Sequence, residues 1–319
     1  MKPLRKILFN CFAIIFAIPL FAAQGQITQA NGIDIWYETF GEKSDPACLL
    51  IMGAMCQGIL WPTEFCEQLA KEKLYVIRYD HRDAGFSTCF DFRQHPYTLL
   101  DMAKDGIGLL DSLGIEKAHL VGLSMGGPIA ELMSVHFPKR VSTITLMATS
   151  CDFRPMTFAL DGVSLDSKLS LPKENYLNWT RKFLAAPSQT GEEMLEERLV
   201  CWSILNGSVV PFEKERYREI HREFLSRVKH PESIANHKNS WERSFEMIQT
   251  IPYQVRVPTL ILHGSEDPIF PPDHGEALAK AISGSKLIPV HGFGHVPNRQ
   301  FYDLFIANIK ELTVLKSTF

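Results

Sequence analysis

The stretch Val121-Gly122-Leu123-Ser124-Met125-Gly126-Gly127 fits the pattern G-x-S-x-G, a sharp turn that lifts a serine hydroxyl clear of a sheet. A serine hydroxyl becomes a useful nucleophile only when a base takes its proton, and the base needs an acid to orient it. Both partners follow in the order this turn requires, acid first and histidine second. Asp267 stands in His263-Gly264-Ser265-Glu266-Asp267-Pro268, and His295 in Val290-His291-Gly292-Phe293-Gly294-His295-Val296-Pro297. The chemistry that these three side chains do together is acyl transfer.

Each assignment has a competitor. Glu266 is the neighbouring carboxylate, but Pro268 sets a turn directly after Asp267. His263 and His291 stand at strand ends, whereas His295 lies past Gly292 and Gly294, where the loop has freedom to fold over the serine. Acyl transfer also needs hydrogen-bond donors for the developing oxyanion. The expected donors are two backbone N–H groups: Met125, at the start of the helix after the turn, and Ala54, in Gly53-Ala54-Met55, with Gly53 as the hinge.

These residues need a scaffold that brings them to one edge. Lys117 to Val121 reads as a buried strand leading into the turn, and Pro128 onward as a helix to about Phe137. Continuous apolar runs at Cys48 to Met52 and Leu74 to Tyr79 suit strands buried on both faces, and Val141 to Met147, Pro258 to His263 and Lys286 to Val290 read as further strands. Helical patterns at Pro62 to Lys71, Leu99 to Leu113 and Asp303 to Leu312 alternate with them. Alternation of this kind predicts a mostly parallel, doubly wound sheet, whose sites lie at the carboxyl ends of the strands. Asn31-Gly32 between Ile27 to Gln29 and Ile33 to Glu38 adds a hairpin at one edge.

Between Cys151 and about Gln249 the strands stop. Helical patterns at Tyr176 to Ala185, Glu192 to Leu205, Glu213 to Val228 and Ser233 to Met247 predict a helical cap over 151–250, inserted in a core of 24–150 and 251–319. Trp179, Trp202, Phe212 and Trp241 are candidates for lining a pocket or, as the simpler reading, for packing the cap.

The start of the chain reads differently. Lys2, Arg5 and Lys6 precede an apolar run from Ile7 to Phe21, then Ala22-Ala23, the layout of a secretory leader over 1–23. The run falls short of the roughly 20 residues that span a bilayer, so no integral span is expected in the mature chain. The leader carries no acidic residue, and its loss moves the formal net charge from −3 to −6. Nothing in that balance suggests a nucleic-acid or anionic-membrane footprint. Export to a periplasm or beyond lets cysteines oxidise. Of the six cysteines after Cys11, Cys56 and Cys66 are the candidate pair, and buried free thiols are the plainer reading. No spacing suits a metal, and no metal or organic cofactor is implied.

Three stretches carry a family resemblance. They are Leu49-Leu50-Ile51-Met52-Gly53-Ala54, Val76-Ile77-Arg78-Tyr79-Asp80-His81-Arg82-Asp83-Ala84-Gly85-Phe86-Ser87, and Val121-Gly122-Leu123-Ser124-Met125-Gly126. Together with the order Ser124, Asp267, His295 they resemble the α/β-hydrolase superfamily and, within it, the aclacinomycin methylesterase group, which cleaves a methyl ester on a polyketide. The resemblance implies an α/β-hydrolase fold, a small-molecule ester substrate and a serine esterase mechanism. It also implies that Asp80 to Ser87 braces the sheet edge without reacting, and that Met52 stands where many relatives have histidine.

Two other functions stay open at this point. An iminopeptidase-like peptidase needs an acidic group for a substrate amine, with Glu196 or Glu242 as candidates. A non-catalytic binding protein needs only the scaffold. A serine at the turn disfavours haloalkane dehalogenase or epoxide hydrolase chemistry, in which an aspartate occupies that place.

Overall fold

The computed structural model describes residues 25–185 and 191–314, with only the backbone at 184 and 185. The expected leader over 1–23 lies outside the described residues. The chain enters through a hairpin, β1 (Gln26–Ala30) and β2 (Ile33–Phe40). Asn31 and Gly32 turn it with φ of 50° and 79°, the positive values that a two-residue hairpin loop matched to strand twist demands.

Six further strands complete one eight-stranded sheet: β3 (Ala47–Ile51), β4 (Tyr75–Tyr79), β5 (Ala118–Leu123), β6 (Val141–Met147), β7 (Thr259–Gly264) and β8 (Lys286–Val290). Their order is β1-β2-β4-β3-β5-β6-β7-β8. β1 and β2, then β2 and β4, pair antiparallel, and every later pair is parallel. All residues of β3, β4, β5 and β7 are buried, as expected for apolar runs covered by helices on both faces. Each such leucine or isoleucine contributes about 1.5–3 kcal/mol relative to an exposed one.

The covering helices are α1 (Thr63–Lys71), α2 (Leu99–Ser112) and α3 (Gly126–His136), joined after the insert by α10 (Pro272–Ala281) and α11 (Tyr302–Val314). Thr98 starts α2 in a reciprocal capping box with Asp101. Between β6 and β7 lie α4 (Arg154–Leu160), α5 (Glu174–Ala185), α6 (Gly191–Asn206), α7 (Lys214–Ser226), α8 (Asn236–Glu242) and α9 (Phe245–Thr250). The expected single helix from Ser233 to Met247 is broken into a 3-10 turn, Pro231–Ala235, followed by α8 and α9. Ser244 interrupts it with a non-helical φ of −113° and with its hydroxyl on the Ser240 carbonyl and the Leu99 N–H. Hydrophobic period alone does not report such a break.

The described cysteines are all free, so the Cys56–Cys66 pair is not formed. Cys66 is buried in α1 with its thiol toward the Trp61 carbonyl, while Cys56 follows the loop after β3. Burial pushes the two thiols up to about 11 for Cys56 and about 12 for Cys66, which leaves them poor nucleophiles.

Candidate active site

Ser124 sits between β5 and α3 with φ of 53°, a left-handed conformation that a serine adopts only under constraint. The constraint is visible on every side. Its N–H donates to the Met147 carbonyl on β6 at 2.9 Å. Its carbonyl accepts from Gly127 N–H at 2.8 Å and from the Thr149 hydroxyl at 2.7 Å. A Cβ on Gly122 would lie 2.2 Å from the Gly126 carbonyl oxygen, and one on Gly126 would lie 2.1 Å from that of Ile51. Both glycines of the motif are therefore required by close backbone approach, as its spacing predicts.

Asp267 and His295 meet on the loops after β7 and β8. His295 Nδ1 lies 2.9 Å from Asp267 Oδ2 and 3.1 Å from Oδ1. Asp267 is fully buried and also accepts the N–H groups of Ile269 at 2.9 Å and Phe270 at 3.0 Å. Burial by itself would raise the Asp267 carboxyl. The adjacent His295, His263 and the Phe270 N–H outweigh it and hold the carboxyl below the usual carboxylate range. An ionised acceptor on Nδ1 fixes the His295 tautomer and leaves Nε2 to receive a proton. The His295 N–H donates to the Leu205 carbonyl on α6 at 2.7 Å, so the insert holds this loop as well.

The loop after β3 approaches the serine closely. A Cβ on Gly53 would lie 3.2 Å from Ser124 Cβ and 3.7 Å from Oγ. Met55 has φ of 59°, and its N–H is taken by His237 Nδ1 at 2.8 Å. Among the described residues, the N–H groups of Ala54 and Met125 donate no hydrogen bond to protein. Met125 is wholly buried at the N-terminal end of α3. A buried unpaired donor is costly, so the Met125 N–H at this helix start, with the half-buried Ala54 N–H on the neighbouring loop, is free to receive a negatively charged oxygen.

Residues 49–298 match the alpha/beta hydrolase fold family. The chain belongs to that family. It is 34% identical over 276 residues to rhodomycin D methylesterase DauP of Streptomyces sp. (strain C5), covering 82% of this chain and 89% of the relative. The same identity and coverage hold for rhodomycin D methylesterase DnrP of Streptomyces peucetius. Among solved structures, a meta-cleavage product hydrolase from Pseudomonas fluorescens superposes with a TM-score of 0.68 at 21% identity, covering 91% of this chain and 98% of that one. At that identity the likeness speaks for the fold alone.

The competing residues of this alpha/beta hydrolase stand apart from the Asp267–His295 contact. Glu266 turns away from His295 and accepts from Ser208 Oγ at 3.1 Å, with Lys173 Nζ at 3.7 Å. His291 is exposed at the end of β8. His263 is buried with Nε2 on the Phe270 carbonyl at 2.8 Å, which braces the Asp267 loop from behind. Glu196 pairs with Arg218 and Lys214, and Glu242 with Lys238, so neither acid stands ready for a substrate amine. The four aromatic candidates pack: Trp179 stacks on Phe183, Trp202 meets His221 edge-on, Phe212 stacks on Tyr217, and Trp241 donates to Thr157 Oγ1.

The stretch from Asp80 to Ser87 braces the edge. Asp80 is fully buried and gathers the N–H groups of Gly58 at 2.7 Å and Phe86 at 3.0 Å and the Arg227 guanidinium at 2.6 Å. Arg82 makes a two-pronged pair with Asp105 at 2.6 and 2.7 Å. Asp83 takes the Phe90 N–H and the Tyr97 hydroxyl. Thr149 and His237 leave no mark in the sequence pattern, because each acts through a backbone group remote in the chain. No trio of His, Cys, Asp and Glu among the described residues is arranged for a metal, and no described helix is long and apolar enough to cross a membrane.

Proposed function

We propose that this alpha/beta hydrolase is an exported serine esterase that cleaves carboxylic esters of small molecules through an acyl-enzyme on Ser124. The observation that carries the proposal is the joint geometry of the strained Ser124, the His295–Asp267 contact and the two unpaired N–H groups. Ser124 Oγ attacks the ester carbonyl while its proton passes to His295 Nε2. The carbonyl π-pair moves onto oxygen, which the N–H groups of Ala54 and Met125 stabilise. Collapse expels the alkoxide, which takes the proton from His295. A water then loses its proton to His295 and attacks the acyl carbon, and Ser124 leaves as the free hydroxyl. Asp267 keeps the imidazole oriented and supports its cationic form.

The methylesterase relatives support a simple alkyl leaving group. Residues 151–250 act in this reading as a cap over a core of 24–150 and 251–319. The leader over 1–23 directs the chain out of the cytoplasm, so the mature protein begins near Ala23 to Gln26. A panel of methyl and p-nitrophenyl esters of increasing acyl length, run beside a prolyl nitroanilide, tests the activity. Short and medium esters turn over and the amide does not. Faster cleavage of the prolyl amide than of any ester would favour the peptidase. Intact mass of the protein recovered from its host tests export, and a soluble cytosolic chain starting at Met1 would contradict it.

A further inference from the structure

The loop that carries Ala54 and brings Gly53 against Ser124 has no regular structure of its own. It spans Met52 to Met55, directly after β3, and holds its shape through two buried imidazoles. His237, on α8 of the insert, accepts the Met55 N–H on Nδ1 at 2.8 Å. Its Nε2 lies 2.8 Å from the Arg82 carbonyl oxygen. His81 places Nε2 2.9 Å from the Met52 carbonyl oxygen. The two rings meet edge to face with centroids 5.9 Å apart.

The partners dictate the tautomers. A carbonyl oxygen accepts only, so each Nε2 carries a proton and donates it. A backbone N–H donates only, so Nδ1 of His237 is bare. His237 is therefore neutral with every hydrogen-bonding group used. Burial lowers its pKa, and burial together with His237 takes His81 down to about 3, so both rings stay uncharged at neutral pH. Two neighbours dock the same segment: Ser233 Oγ donates to the Asp83 carbonyl at 3.3 Å, and Asn236 Nδ2 to the Phe90 carbonyl at 3.0 Å.

We infer that His237 is a positioning residue of the oxyanion site, through which the insert sets the Ala54 N–H. By holding the Met55 N–H, the ring fixes the left-handed turn at Met55. The neighbouring Ala54 N–H then stays aimed at the reacting carbonyl without a protein partner. Met55 is removed as a rival donor at the same time. The inference deepens the esterase reading and rests on it. It also accounts for His81 and Arg82, which the proton transfers leave unused: one anchors the loop from the core side, and the other supplies the carbonyl that locks the tautomer.

The test separates the two nitrogens. In His237→Asn the side-chain oxygen stands near the place of Nδ1 and still accepts from Met55. In His237→Phe ring volume is kept and both hydrogen bonds are lost. Two rates are measured: kcat and KM on the best ester of the panel, and second-order labelling by a fluorophosphonate, whose P=O oxygen uses the same donors. His237→Phe lowers kcat and labelling by about 10- to 100-fold with KM within about threefold, less than the loss of a whole oxyanion donor. His237→Asn recovers most of that loss and also serves if His237→Phe does not fold. A folded His237→Phe at wild-type kcat and labelling rate would overturn the inference. So would a kcat loss that His237→Asn does not recover. Wild-type labelling without turnover of any ester would sink the esterase reading alone, and the labelling rates would still judge His237.

Discussion

The sheet edge around Ser124 and the helical insert above it reach the same site by different physics. At the edge, geometry is local. Gly122 and Gly126 permit close backbone approach, Ser124 takes φ of 53°, and the loops after β7 and β8 bring Asp267 and His295 together. In the insert, geometry is borrowed from afar. Leu205 holds the His295 N–H, His237 holds the Met55 N–H, and Arg227 pairs with Asp80. In the proposed mechanism the edge supplies the reacting groups, and the insert supplies contacts that hold their loops.

The largest effect sharpens the chemical side of that contrast. His295→Ala lowers kcat by roughly four to six orders of magnitude, the scale seen when a member of such a trio is removed. His291→Ala, at an exposed strand end, keeps most of its activity. Steady-state kinetics on both variants, with folding checked by circular dichroism, decides this. A folded His295→Ala of near-normal kcat beside a dead, folded His291→Ala would reverse the assignment.

Next comes the seam between the two regions. Arg227 is 5% exposed and Asp80 wholly buried, and Asp80 also receives two N–H groups. Removing one partner leaves a buried charge uncompensated, a cost of about 3–5 kcal/mol. Arg227→Met therefore lowers the melting temperature by several degrees. A melting curve that matches the wild type would show that the insert docks without this pair.

Acid reads the buried imidazoles of both regions. Unfolded, a histidine takes up its proton near pH 6.5. Folded, burial holds His81 to about 3 and His221, with Arg198 adding to the effect, to about 2. Between those limits the unfolded chain binds more protons. The stabilisation is whole above pH 6.5 and drains as pH falls, by up to about 1.4 kcal/mol per pH unit for each ring. His221→Leu should therefore lose less melting temperature than the wild type between pH 6.5 and 4. Equal losses in the two proteins would remove His221 from the account.

The smallest effect lies on the insert surface. Glu196 pairs with Arg218 and Lys214 in water, where solvent screening leaves such contacts little weight in stability. Glu196→Ala leaves melting and ester turnover nearly unchanged. A selective loss of activity toward aminoacyl amides would revive the peptidase reading.

This contrast also explains what could be read from the chain. The strands and the turn at Ser124 are legible because each leaves its mark in one short stretch, and the acid-then-histidine order is read from two such stretches after β7 and β8. Pro268 marks the turn that favours Asp267 over Glu266, and it is Asp267 that lies against His295. The break at Ser244, the free state of Cys56 and Cys66, and the roles of Thr149 and His237 were not. Each depends on partners elsewhere in the fold, and the Met55–His237 bond joins residues 182 positions apart. Hydrophobic period and turn residues carry no record of such contacts.

The central claim is that Ser124 is the activated nucleophile of this site. Fluorophosphonate labelling followed by intact mass and peptide mapping tests it most directly. One adduct per chain is expected, on the peptide that holds Ser124, with none in Ser124→Ala and sharply slowed labelling in His295→Ala. Ester turnover that persists in folded Ser124→Ala, or an adduct at another serine, would contradict it.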